Sequence, residues 1–218
     1  MSWRDISIVW QQRDTMLAGL AMTIEIVLLS AALAGALGVV LFVGLIGRMR
    51  ALAVIISLLS EIVRCVPFML VCYLAYFALP SVGILVGNVE TGVLTLSVYN
   101  AVYFAVLLHG AWKELPREIS EAGRAFGFHG WGLLRIVLPP VVLAAIPMIG
   151  NQVIQIIKDS AFLMIITVKE LTYAANEIQA TYYIPLASFL LAMLLYWLLC
   201  LGVECGVRTL LRLAQARR

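Results

Sequence analysis

Four polar residues on one predicted helix are the side chains best placed to do chemistry. Asn151, Gln155 and Asp159 recur at every fourth position, and Lys158 lies beside the last of them. Residues four apart share a helix face, so these side chains form a polar stripe inside an otherwise apolar segment. The stripe predicts either the lining of a water-filled or solute-filled path or a hydrogen-bonded seam between two helices.

A pair of ionisable residues lies near the start of another apolar segment. Glu61 and Arg64 are three residues apart and therefore share a helix face, where they can form an ion pair. Ionisable groups inside a membrane span are costly and usually face a cavity or a partner. Two interpretations stay open: an ion pair at the membrane interface, and a role beside a transport path.

The composition indicates the solvent in which these elements fold. Of 218 residues, 63% are hydrophobic and 12% are charged, whereas soluble domains average about 25% charged residues. A soluble fold of this size would lack the polar residues to cover its surface, so a lipid bilayer is the expected environment. The basic residues cluster beside apolar runs, which favours membrane orientation over nucleic-acid binding.

The patterns of soluble enzymes and metal sites are missing from the sequence. It contains no Walker-type phosphate loop, no GxSxG turn and no HExxH helix. Its four cysteines lie in apolar segments without a CxxC pair, which is typical of buried structural cysteines. We therefore expect a chain that is not an enzyme and that holds no cofactor or metal. Any energy from ATP must then come from an ATPase on another chain.

Five apolar segments are long enough to cross a membrane as helices, for which about 20 residues are needed. Because these segments are continuously apolar rather than alternating, a closed β-barrel is excluded. The predicted fold is an all-α membrane protein with one domain over residues 1–218. The five predicted spans are 16–46, 52–79, 92–112, 139–168 and 184–206.

The basic residues also predict the orientation of the spans. Ten Lys and Arg residues follow the first, third and fifth spans, and three lie on the opposite side. Short loops rich in Lys and Arg stay in the cytoplasm. We therefore expect the N-terminus outside, the C-terminus in the cytoplasm, and the loop 113–138 on the cytoplasmic side.

Two of the predicted spans have unusual backbone features. The first span carries alanines and glycines at small-xxx-small spacing between Ala31 and Gly38, which favours close contact with another helix. The fourth apolar run is longer than a membrane is thick if it forms one straight helix. The segment is therefore expected to project into the cytoplasm, to tilt or to break, and Pro147 and Gly150, directly before the polar stripe, are natural places for a bend.

The loop 113–138 contains the most polar internal stretch of the chain. Glu121 lies in the early turns of a predicted helix, where an acid suits the positive end of the helix dipole. Ala122 and Gly123 have almost no side chain, and Gly127 can end the helix in a left-handed conformation. The prediction is a short helix at the membrane surface whose bare face suits a groove on a partner. A plain amphipathic loop helix is the alternative.

The same loop resembles a motif of one family of transport proteins. The residues EAGRAFGFHGWGLLRIVLPP are similar to the EAA loop of ABC importer permeases, in which Glu-Ala-Ala is followed by a Gly and by a distant Ile-x-Leu-Pro. Glu121, Ala122 and Gly127 match this motif, and Gly123 stands where the second Ala is usual. The resemblance implies that these four residues couple the chain to an ATPase.

Further stretches resemble one branch of that family, the polar amino acid permeases of the histidine/glutamine type. EIVRCVPFML is similar to the branch's E-x-x-R-x-x-P-L-L, and IPMIGNQVIQIIKDSAF is similar to its P-P-L-x-N-x-F-I-x-x-x-K-D-T-S-L. An amino acid carries both charges, so a path that offers both can match it. The candidate residues of such a solute path are Glu61, Arg64, Asn151, Gln155, Lys158, Asp159 and Ser160.

The resemblance implies the fold of a type I ABC importer permease, and it also implies a function. The chain would be the permease subunit of an ATP-driven importer for a polar amino acid or a related small solute, in the inner membrane of a bacterium. Its implied partners are a second permease (a copy or a sister chain), a dimer of ABC ATPases that binds the ATP, an extracytoplasmic solute-binding protein and membrane lipid. A mainly architectural subunit of a heterodimeric permease and an ATP-independent secondary transporter are the alternatives.

Several positions depart from the family pattern. Val106 replaces an acid, and His109 stands where an Arg is common. Glu118 and Ile119 replace Gly-Gln before the EAA motif, and Ala161 replaces a Ser. Such differences fit a chain that forms one half of a heterodimer and binds little solute itself.

Overall fold

The computed structural model describes residues 3–47 and 49–216. Within these ranges the chain is helical and contains no β-strand, so the predicted all-α class is confirmed. The elements are α1 (Trp3–Gln11), α2 (Arg13–Ile46), α3 (Arg50–Cys65), α4 (Phe68–Ser81), α5 (Asn88–Glu114), α6 (Arg117–Ala125), α7 (Trp131–Ser160), a 3₁₀ segment (Ala161–Ile166), α8 (Leu171–Tyr182) and α9 (Pro185–Ala216).

α5 lies at the centre of the fold, packed against α2, α4 and α7. Leu96 on α5 is fully buried and shares one apolar core with Ile26 of α2 and Ile156 of α7. α5 also carries buried hydroxyl groups. Those of Thr95 and Ser97 donate to carbonyl oxygens one turn earlier in the same helix, so they are satisfied without another helix.

Small residues bring α2 and α5 close together. Ala34 is fully buried, and a β-carbon on Gly38 would lie 2.5 Å from the β-carbon of Phe104. No residue larger than glycine fits at position 38 without separating the two helices. The predicted close contact is confirmed for Ala34 and Gly38. Gly35 has open space around it and does not take part.

The second predicted span, 52–79, is not one helix. α3 and α4 meet at an angle of 103° around Val66 and Pro67. Proline disfavours the helical conformation in the residue before it, and Val66 is extended, with ψ of 131°. The carbonyl oxygen of Val66 accepts a hydrogen bond from the hydroxyl group of Tyr99 at 2.9 Å. The segment is therefore a bent pair of helices rather than one continuous helix, and the pair can still form one broken membrane span.

The fourth predicted span, 139–168, also differs from the structure. α7 stays helical through its three internal prolines, so no interruption occurs at Pro147 or Gly150. A proline removes one backbone hydrogen bond, which membrane helices tolerate where neighbouring groups compensate. Gly150 serves packing instead, because a β-carbon there would clash with Val207 of α9. The helix tightens at the 3₁₀ segment, which follows the polar stripe rather than preceding it.

Four segments of the described chain are long and apolar enough to cross a membrane singly. They are α2, α5, α7 with its 3₁₀ extension, and α9, and the bent pair α3–α4 gives a fifth crossing if it counts as one span. The first, third and fifth predicted spans correspond to α2, α5 and α9, although α9 continues to Ala216. The side of the membrane on which each end lies stays a prediction.

Candidate functional site

The polar stripe of α7 lines a cavity of about 550 Å³, here called the polar cavity. Asn151, Gln155 and Asp159 all contribute to its wall, as their spacing predicts. Pro67 and Phe68 contribute another part, next to the break between α3 and α4. Irregular backbone at membrane depth is tolerated where protein covers it or a cavity lies beside it. The break and the stripe therefore belong to one site.

Two tyrosines of α5, which were not among the candidates predicted from the sequence, complete the polar cavity. Tyr99 and Tyr103 both line the wall, and their hydroxyl oxygens are 3.3 Å apart. Tyr99 also holds the broken backbone through its bond to Val66. The available signal was the stretch VYNAVY, which places two phenol groups four residues apart on one face of a predicted span.

A buried amide pair sets the rotation of α7 against α5. Nε2 of Gln152 donates a hydrogen bond to Oδ1 of Asn100 at 2.7 Å, and both residues are buried. Gln152 also lines the polar cavity beside Asn151, so the bond to Asn100 holds this side of α7 toward α5 and the cavity. Within the stripe, Nε2 of Gln155 donates to Oδ1 of Asp159 at 2.9 Å, which holds the carboxyl group in place.

Two predicted path residues of α7 lie outside the polar cavity. Lys158 is exposed on α7 but is not part of the wall, and it forms no ion pair within residues 3–47 and 49–216. Ser160 is fully buried, and its hydroxyl group donates to the carbonyl oxygen of Ile157 at 2.8 Å. The structure therefore supports three of the five α7 candidates as cavity-lining residues.

Glu61 and Arg64 lie in a different place from the stripe. Both are exposed and line a separate cavity of about 500 Å³, together with His109 and Lys113 of α5. Across the described part of the chain, no ion pair joins Glu61 to Arg64. The two side chains line the same cavity, as a shared helix face allows. Of the two interpretations, the ion pair between them is not formed, and a role beside a transport path stays a prediction. Five of the seven candidate path residues thus line two separate cavities, and Lys158 and Ser160 line neither of them.

α6 ends in the left-handed cap predicted for Gly127. The φ angle of Gly127 is +81°. The N–H group of Phe128 donates to the carbonyl oxygen of Gly123 at 3.0 Å, and that of Gly127 donates to Arg124 at 2.9 Å. Together these bonds form a Schellman motif. The motif gives α6 a defined end before the chain turns into α7.

The exposed face of α6 differs in one position from the predicted face. Glu121 and Ala122 are exposed, and Phe126 at the end of the helix is 82% exposed. Gly123 is instead buried against α7, where a β-carbon would lie 2.7 Å from Cδ1 of Leu133. The small size of Gly123 therefore serves the packing of α6 on α7, which corrects its assignment to the bare outer face.

A buried carboxyl group outside the candidate spans ties α8 to α9. Glu170 is fully buried and accepts hydrogen bonds from the N–H groups of Thr172 and Tyr173, both at 2.8 Å, which caps α8. The hydroxyl group of Tyr196 on α9 donates to the same carboxyl group at 2.6 Å. Burial raises the pKa of Glu170, although these hydrogen bonds oppose the shift. Glu170 was not among the candidate residues predicted from the sequence.

Comparison with known proteins gives these features a family context. The family described as "Binding-protein-dependent transport system inner membrane component" matches residues 34–213. This range includes the polar stripe, Glu61, Arg64 and all of α6.

Relatives with assigned roles are similar over most of their length. The chain is 26% identical over 151 residues to a probable glutamine ABC transporter permease of Bacillus subtilis, covering 69% of this chain and 70% of the relative. It is 28% identical over 192 residues to a histidine/lysine/arginine/ornithine transport system permease of Salmonella typhimurium. This match covers 83% of this chain and 82% of that relative.

Solved structures share the fold. A crystal structure of an amino acid ABC transporter with histidines matches with a TM-score of 0.86 and 21% identity, over 97% of this chain and 99% of that chain. An inward-facing MetNI methionine ABC transporter matches with a TM-score of 0.67 and 22% identity, over 96% of this chain and 99% of that chain. The helix arrangement is therefore that of type I ABC importer permeases.

Proposed function

Because the chain belongs to the family of binding-protein-dependent transport system inner membrane components, we propose that it is the permease subunit of an ATP-driven importer of amino acids. The observation that carries the proposal is the polar cavity between α4, α5 and α7, which lies in the range shared with the family. Relatives named for glutamine and for histidine, lysine, arginine and ornithine support the solute class.

The chemistry of the polar cavity supports a solute that carries an amine. The carboxyl group of Asp159 offers an anionic partner for an ammonium group. The amides of Asn151 and Gln155 and the hydroxyl of Tyr103 can bond a carboxylate or a polar side chain. Asp159 is thus the primary solute contact in this proposal, and Glu61 and Arg64 belong to a separate polar region of the path.

The exposed face of α7 supports a second permease chain beside this one. Asn151, Gln155 and Lys158 are exposed within a segment that is otherwise apolar enough to span a membrane. An ammonium group facing lipid is costly, so such residues normally face protein or a water-filled cavity. A second permease, either a copy or a sister chain, would cover this face and close the path between the two chains.

Coupling to ATP would pass through α6. Glu121 and Ala122 are exposed there, and the Gly127 cap fixes the direction of the chain beyond them. In this proposal a dimer of cytoplasmic ATPases binds the ATP and contacts α6 differently before and after hydrolysis. Only such a difference in contact free energy can shift the permease between inward-open and outward-open states.

The remaining partners follow from the same assignment. An extracytoplasmic solute-binding protein would deliver the amino acid to the outer ends of the spans, and the chain would lie in a bacterial inner membrane. The distribution of basic residues supports a cytoplasmic position for α6. The chain itself would hydrolyse nothing.

Co-purification from native membranes tests this assignment. We expect the tagged chain, extracted in mild detergent, to bring down an ABC ATPase, and that ATPase should dissociate when Glu121 and Ala122 are replaced by arginines. A control with arginines at Thr181 and Tyr183, which are exposed at the opposite end of the fold beyond the candidate spans, should retain the ATPase. A chain that purifies without any ATPase would contradict the proposal.

A further inference from the structure

A cavity of about 690 Å³ lies between α6 and the ends of three spans, away from the proposed solute path. Ile46 ends α2, Trp112 lies in the last turn of α5, and Trp131 begins α7. The ends of spans mark the surface of the bilayer, and tryptophan is enriched at that level. The cavity, here called the α6 cavity, lies at the ends of three candidate spans, where the composition predicts the boundary between lipid and water.

The walls of the α6 cavity are amphipathic. Val43, Leu134 and Val137 provide apolar surface on the side of the spans. Arg124 and His129 provide polar groups on the side of α6 and the turn that follows it. Arg124 is exposed and forms no ion pair with any residue the structure describes. A phospholipid matches an apolar wall next to an unpaired cation. Its apolar acyl chain can lie on the wall, and its anionic phosphate can lie beside the cation.

Further charged residues lie next to this cavity. The guanidinium group of Arg135 lies over the ring of Trp131, 5.9 Å from its centre. An adjoining cavity of about 360 Å³ also includes Arg124, together with Lys113 and Glu121. Among the residues that line the two cavities, Arg124 and Lys113 outnumber the single carboxylate of Glu121, so the local charge favours an anion.

We propose that the α6 cavity binds a phospholipid with a negatively charged headgroup. The phosphate would lie beside Arg124 and His129, and an acyl chain would lie against Val43 and Leu134. A free phosphate ion would leave the apolar wall uncovered, which favours the lipid. The inference requires only that the chain spans a membrane and does not depend on the transported solute.

The bound lipid would support α6. Gly123 already packs against Leu133 on α7, and the lipid would fill the space between α6 and the ends of α2 and α5. The position of α6 would then depend on the lipid composition of the leaflet that contacts it.

Lipid titration of the assembled transporter tests this inference. The purified complex is delipidated, and native mass spectrometry measures its binding of phosphatidylglycerol and phosphatidylcholine. We expect wild type to prefer phosphatidylglycerol and Arg124→Gln to bind it about fivefold more weakly, the effect of one basic side chain near a membrane surface. Arg124→Lys should restore most of the affinity. Arg212→Gln removes an exposed arginine of α9 that does not line this cavity, and it should change nothing.

A second variant tests the apolar wall. Val43→Phe fills part of the cavity and should weaken binding of the same lipid without changing the charge. Equal affinities for Arg124→Gln and Arg212→Gln would overturn the inference. Displacement of the lipid by millimolar inorganic phosphate, or equal binding of phosphatidylcholine, would also overturn it. A complex that retains the lipid but contains no ATPase would contradict the proposed function and leave this inference intact.

Discussion

Gln152 on α7 donates a hydrogen bond across 2.7 Å to Asn100 on α5, and both side chains are buried between the two helices. This bond fixes which side of α7 faces α5. The following turn of α7 therefore presents Gln155 and Asp159 to the polar cavity. The polar stripe depends on a contact made by a residue that is not part of it.

Replacement of Asn100 by leucine should weaken this arrangement. The amide of Gln152 would stay buried without its acceptor, and interhelical hydrogen bonds in membranes contribute up to about 1–2 kcal/mol. We expect the thermal midpoint of the detergent-solubilised protein to fall by about 2–4 °C. Ser97→Ala is the matched control, because the Ser97 hydroxyl bonds only within α5. An equal midpoint for Asn100→Leu and Ser97→Ala would show that the pair does not hold α7.

Gly123→Ala should be tolerated, although Gly123 is buried. The new methyl group comes too close only to Cδ1 of Leu133, the end of a flexible side chain that can rotate away, and its contact with Cδ1 of Ile136 at 3.9 Å is an ordinary one. Alanine also favours the helix over glycine by about 1 kcal/mol. Gly123→Phe should instead push α6 off α7 and release the bound ATPase. Co-purification of the ATPase with each variant measures the difference. Retention of the ATPase by Gly123→Phe would contradict the observed packing.

Gly127→Val should uncouple ATP hydrolysis from the binding protein. Gly127 has φ of +81°, a conformation that costs an L-residue about 1–2 kcal/mol and a β-branched one more. The Schellman motif would open and α6 would lose its fixed end. Gly127→Asn is the control, because asparagine adopts this conformation more easily. In proteoliposomes, loaded binding protein should stimulate hydrolysis by wild type and Gly127→Asn but not by Gly127→Val. Normal uptake by Gly127→Val would refute the role of the loop.

The buried carboxyl group of Glu170 should make stability depend on pH. Burial raises its pKa in the folded protein above the ordinary value. Between the ordinary and the raised pKa, the folded state binds more protons than the unfolded state, so stability falls as pH rises through that window. Glu170→Gln does not titrate. The difference in melting temperature, wild type minus Glu170→Gln, should therefore decrease as the pH rises from below the ordinary glutamate pKa through the raised pKa. A difference that stays constant or increases would contradict the raised pKa.

Local patterns in the sequence predicted the features that local geometry controls. The spacing of Asn151, Gln155 and Asp159 placed all three on the wall of one cavity. The glycine at position 127 predicted a left-handed cap. The close contact at Gly38 followed from small-residue spacing. Each of these three features can be predicted from the helix period or from the size and conformational freedom of a single residue type.

Features that depend on distant parts of the chain were not predictable. Whether Gly123 faces outward or toward Leu133 depends on how α6 lies on α7. The break at Pro67 is held by Tyr99, which is 33 residues away from its partner Val66. Glu61 and Arg64 share a helix face but do not pair, because side-chain spacing permits a contact without requiring it.

Uptake of a labelled amino acid mixture by the reconstituted complex tests the central claim most directly. The complex contains this chain, its partner permease, the ATPase and the binding protein. With ATP inside the vesicles, Asp159→Asn should reduce uptake about tenfold, because it removes a charge-assisted bond to the solute's ammonium group. Glu204→Gln changes an exposed acid outside the polar cavity and should leave uptake unchanged. Undiminished uptake by an assembled Asp159→Asn complex would contradict the polar cavity as the solute path.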